Sequence, residues 1–107
     1  MNIEYIEEQL KIGQVSPHEL AQMAGFLASA YSHYYGELGD ILGTKPKVWN
    51  EIRLKTSSDK GADRQWDATE MGLAETRCRV TIKRSEKLLS SVKSLIKVAE
   101  GEARNQF

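Results

Sequence analysis

A chain of 107 residues has material for one hydrophobic core, but its surface-to-volume ratio is unfavourable, so a thin fold needs help from self-association. With 28% charged and 40% hydrophobic residues it is not a chain disordered beyond its termini. The 15 basic and 15 acidic side chains cancel, which excludes a global field drawing the whole molecule onto nucleic acid or an anionic membrane.

The first residues, MNIEYIEEQL, place Ile3, Ile6 and Leu10 at helical spacing between a capping Asn2 and Gly13, predicting a short helix over 1–13. They are acidic and have neither the basic nor the apolar region of a secretory signal, and no stretch approaches the roughly 20 apolar residues of a membrane span. Cys78, the single cysteine, permits no internal disulfide. Together these features predict a cytoplasmic protein without a membrane partner.

Val15-Ser16-Pro17-His18-Glu19-Leu20 is the clearest local signal: Ser16 caps a helix, Pro17 suits its first position, Glu19 completes a capping box and Val15 staples onto Leu20. From there Leu20, Met23, Ala24, Leu27, Tyr31, Tyr34, Tyr35, Leu38, Ile41, Leu42, Trp49 and Ile52 keep one apolar stripe in phase. The expectation is a long helix over 16–53, kinked at Gly43 and Pro46.

The polar run LKTSSDKG breaks the pattern, and Ser57 or Ser58 can cap the next helix. With no later proline, a single helix over 58–104 is predicted. Its core face carries Met71, Ala74, Cys78, Ile82, Ser85, Leu89, Val92, Ile96, Ala99 and Ala103, and a second strip holds Trp66, Leu73, Val80 and Val98. The fold class is therefore all-α: a long antiparallel helical hairpin with a short N-terminal helix, in a single domain. Two rods of roughly 55 and 70 Å cannot shield both stripes along one line of contact. Packing into an oligomeric helical bundle, a homo-oligomer of two or more copies, is the expected remedy.

No catalytic constellation can be assembled. His18 and His33 lie 15 residues apart with no ligand-type neighbour at metal spacing, and no serine elbow, phosphate-cradling glycine loop or HExxH run is present. The expectation is a non-enzyme with no metal and no cofactor. Glu75 and Arg79 read as an ordinary i,i+4 surface pair, and Cys78 as a small hydrophobe on the core face. Tyr31, Tyr34 and Tyr35 offer rings for base stacking, though packing with hydroxyls at the rim of the core is the preferred reading. Trp49 and Trp66 flank the polar run, where clamping its two sides together is preferred to a ligand or interface role for Trp66.

Charge is concentrated instead. Between Arg77 and Lys97 stand seven basic residues and one acid, Glu86. Arg79, Lys83, Lys87 and Lys97 line the face opposite the core, where side chains one turn apart can follow a phosphate backbone. Arg77 and Arg84 border apolar surface, a setting that suits a guanidinium for an interface or a phosphate. The competing reading is a solvated face, or one paired with Glu4, Glu7 and Glu8 of the first helix.

GADRQWDATE from Gly61 to Glu70, KRSEKLLSSVKSL from Lys83 to Leu95 and VAEGEARNQF from Val98 to Phe107 resemble small helical proteins encoded by bacteriophages, which sit among early genes near recombination and single-strand-annealing functions. The resemblance covers residues 47–107. It implies a helical phage accessory protein in the bacterial cytoplasm and assigns no catalytic or binding residue. The expected function is oligomeric binding of nucleic acid or a nucleotide phosphate through the basic helix. The alternative is an inhibitor that binds a host enzyme or defence protein, or sequesters a nucleotide signal.

Overall fold

The computed structural model describes residues 1–105, with side chains through Glu102. It is all-helical: α1 (Ile3–Ile12), α2 (Pro17–Leu54), α3 (Asp59–Ala68) and α4 (Glu70–Asn105), with no strand among the described residues. Ala103 of the expected core face lies outside the described side chains.

The helix ends follow from local chemistry. Asn2 Oδ1 accepts the Tyr5 N–H at 2.7 Å, and Gly13 closes α1 in the left-handed region at φ 78°, donating its N–H to Gln9 O. Ser16 Oγ accepts the Glu19 N–H at 3.2 Å and so opens α2 as its capping signature requires. Pro46 lies inside α2, which stays one helix; the lost N–H leaves the Leu42 carbonyl on an exposed turn, where water can satisfy it.

The helix expected over 58–104 is two helices. Ser58 Oγ accepts the Gly61 N–H at 3.0 Å and caps α3, which ends after one short run because Thr69 is extended, at φ −75° and ψ 160°. Thr69 is tied to both sides of the corner. Its N–H and its Oγ1 both donate to Trp66 O, at 2.9 and 2.6 Å, and Oγ1 accepts the Gly72 N–H at 3.0 Å, capping α4. A residue with a β-carbon does not fit at Gly72, because that atom would stand 1.9 Å from Trp66 O.

The chain forms two compact units. In the first, Met1–Ser32 with Ile82–Phe107, the buried core is Ile6, Leu20, Met23, Leu27 and Val92. Val15, Leu10, Leu88, Leu89 and Ile96 pack against it, so α1, the start of α2 and α4 share one apolar centre. Ser85 is fully buried there and its hydroxyl has no hydrogen-bond partner among the described residues. Ser85→Ala removes that desolvated oxygen, so the variant should match the parent or gain up to about 1 kcal/mol in chemical denaturation. A loss above about 1 kcal/mol would mean that the hydroxyl is satisfied.

The second unit, His33–Thr81, buries Leu38, Ile41, Ala62, Trp66 and Cys78, together with the carboxylate of Glu75. The two tryptophans there each have a carboxylate of their own. Trp49 Nε1 donates to Asp63 Oδ1 at 2.8 Å, and Trp66 Nε1 donates to Glu75 Oε1 at 2.9 Å. Arg53 ties the loop to α3 through Asp59 Oδ1 at 2.7 Å and the Thr56 carbonyl at 2.9 Å.

Candidate cationic face

Three of the six basic residues singled out from the sequence are separated from the rest by their contacts or position. Arg79 Nε donates to Glu75 Oε2 at 3.0 Å, within the second unit. Glu75 Oε1 also takes the Lys45 ammonium at 2.9 Å, and that ammonium lies 5.3 Å from the centre of the Trp66 ring. Burial would raise the Glu75 carboxyl, but the hydrogen bonds from Lys45, Arg79 and Trp66 outweigh it and hold the group at about 2, against an ordinary value of 4.5. The pair expected at the surface is one edge of a buried network. Only the Glu75–Arg79 spacing was visible in the sequence; Lys45 and Trp66 reach Glu75 from other helices.

Arg84, in the first unit, hydrogen-bonds Glu7 and reaches Glu4 at 3.4 Å. Its guanidinium pKa is raised, chiefly by the Glu7 hydrogen bond. For this residue the pairing with the acidic first helix holds, and the charge is spent on seating α1. Arg77 is exposed in the second unit, where it lines an open groove with Glu37, Ile41, Glu70, Met71 and Leu73.

Lys83, Lys87 and Lys97 are exposed on α4 in the first unit, and none has a carboxylate within salt-bridge distance among the described residues. At about 100° per residue they fall within ~40° of the direction opposite the buried Val92, over a rise of about 21 Å. Ser90 and Ser94 lie between them, also exposed, and Lys93 stands exposed on the flank. Such a face offers ammonium donors spaced along an axis, with hydroxyls between them, which suits a string of phosphates better than one compact ligand.

The aromatic candidates divide. Trp66 is 1% exposed, so it presents no outer surface; the break at Thr69 rotates it out of the strip that one continuous helix would have given it. Tyr31 and Tyr34 are half-buried, and Tyr35 is exposed. The ring of Tyr34 meets His33 edge-on at 5.1 Å between centres. Cys78 is buried, with its thiol pushed up first by burial and then by the Glu37 carboxylate, so it is a poor nucleophile.

Among the described residues no group of three His, Cys, Asp or Glu side chains is placed to hold a metal ion, and no helix is long and apolar enough to cross a membrane. No protein-family model, curated protein or solved structure matches this chain.

Proposed function

We propose that the chain is a non-enzymatic binding protein that engages nucleic acid along the outer face of α4, through Lys83, Lys87 and Lys97. One observation carries this reading: these lysines are exposed and have no carboxylate partner among the described residues, while Arg84 on the same helix is consumed by Glu4 and Glu7. A face kept only for solubility has no need to segregate paired from unpaired cations in this way. The phosphate backbone supplies the affinity, and with no aromatic ring among these residues the contact is expected to be indifferent to sequence.

The scaffold we assign to it is the oligomeric helical hairpin of the sequence reading. Its support is the exposure of Leu73 and Val80 on α4 in the second unit, apolar side chains that a second copy would cover. The resemblance to phage-encoded helical proteins supports a role in the bacterial cytoplasm, as an accessory to the handling of phage nucleic acid.

Fluorescence anisotropy with single-stranded and duplex DNA at about 50 mM salt tests the reading, because phosphate contacts are strong there. The parent is expected to bind both, and K83Q/K87Q/K97Q to bind at least about tenfold more weakly with unchanged helicity. Equal affinity of parent and variant would remove the lysine face from the function.

A further inference from the structure

Self-association, part of the reading above, leaves open which surface a second copy would cover, and the second unit offers one with matched charge. Its groove of about 700 Å³ is lined by Ile41, Met71 and Leu73 together with Glu37, Glu70 and Arg77. Leu73 is 53% exposed and Val80, seven residues on, is 51% exposed. Two half-exposed aliphatic side chains at two-turn spacing form a stripe on one side of α4, away from the direction of Cys78, which is buried.

Neither Glu70 nor Arg77 has an ion-pair partner among the described residues. They also stand seven residues apart on the same side of α4, about 10.5 Å along its axis, with Leu73 between them. We infer that this face docks a second copy of the chain, the first two turns of the two α4 helices running antiparallel about a twofold axis near Leu73. Glu70 of each copy then faces Arg77 of the other, and the Leu73 side chains meet at the centre. On α4 itself the face carries one acid and one base about an apolar residue, an arrangement complementary to itself under a twofold rotation, and Glu37 of α2 adds a second acid at the groove. A one-signed face is not complementary to itself. The first unit shows the same chemistry within one chain, where Arg84, seven residues beyond Arg77, pairs with the carboxylates of a docked helix.

Multi-angle light scattering at about 10 μM, above a micromolar dissociation constant, should give the mass of two chains, or of an even-numbered assembly built from such pairs. E70R and R77E each put like charges opposite one another at both contacts, and each should weaken the pairing at least about tenfold with helicity intact. An equimolar mixture of E70R with R77E restores opposite charges at both contacts, so it should recover the paired mass. Leu73→Asp should dissociate the pair and stay dissociated in every mixture. A parent of one-chain mass with full helicity would overturn self-association itself and leave the groove to a foreign protein. An assembly indifferent to E70R, R77E and Leu73→Asp would keep self-association and overturn this face as its seat. DNA anisotropy on the same variants separates both results from the lysine reading, which uses none of these residues.

Discussion

Gly72→Ala should cost the protein about 3 kcal/mol or more and lower its melting temperature by at least about 12 °C, the largest effect expected of any single methyl group added to this chain. The added β-carbon would lie 1.9 Å from Trp66 O, 2.7 Å from its carbonyl carbon and 2.9 Å from Asp67 Cα. All three are backbone atoms at the end of α3, so no side chain can swing aside to relieve the clash. The end of α3 must move, which strains the Thr69 hydrogen bonds that join α3 to α4 and displaces Trp66 from the Glu75 carboxylate. Gly43→Ala is the control. Nothing lies within 4 Å of a β-carbon there, inside α2, so alanine should be neutral or stabilise by about 0.5–1 kcal/mol through its helix propensity. Similar melting temperatures for the two variants would mean that the corner is more open than described.

Glu75→Ala should destabilise by about 3 kcal/mol, since it strips three donors of their acceptor at once. The Trp66 N–H pays the full cost, being buried, while Lys45 and Arg79 are 32% and 51% exposed and recover part of theirs from water. Glu75→Gln keeps one acceptor and should lose about half as much. The same network fixes a pH dependence. A carboxyl held at about 2 when folded and at 4.5 when free binds protons more tightly in the unfolded chain, so its stabilisation is complete above about pH 4.5 and is lost as pH falls towards 2. The amount is about 2–3 kcal/mol, after a discount for the exposed Arg79 side of the pair. Urea midpoints between pH 6 and 2 should fall more steeply for the parent than for Glu75→Gln. Parallel curves would mean that Glu75 is not held in its ionised form.

The parts of the fold that were legible in the sequence are those written in local chemistry. Asn2, Gly13, Ser16-Pro17-Glu19 and Ser58 each act within four residues of themselves, and each ends or starts a helix as its residue type requires. The apolar period likewise placed Leu20, Met23, Leu27 and Val92 in a core. The break at Thr69 was not legible, because threonine followed by Glu70-Met71-Gly72 is compatible with a continuing helix. What ends α3 is the extended backbone of Thr69, tied to Trp66 O and to the Gly72 N–H, with Gly72 lacking the β-carbon that would collide with that carbonyl. Missing that break shifted the phase of everything before it, so Trp66 was assigned to an outer strip when it is buried. The basic run was legible as composition, but its division was not. Which cations are spent depends on Glu7 lying beside Arg84 and on Glu75 being enclosed by three helices.

The salt dependence of DNA binding tests the lysine face most directly, because its slope counts phosphate contacts. Three lysines on a phosphate backbone predict a slope of log Kobs against log salt of about −2.1 for single strands and −2.7 for duplex, per chain engaged. Between 50 and 200 mM salt the affinity should therefore fall about 20- to 40-fold, and K83Q/K87Q/K97Q should flatten the slope towards zero. No binding at 50 mM salt, or a slope that the triple variant leaves unchanged, would contradict the assignment.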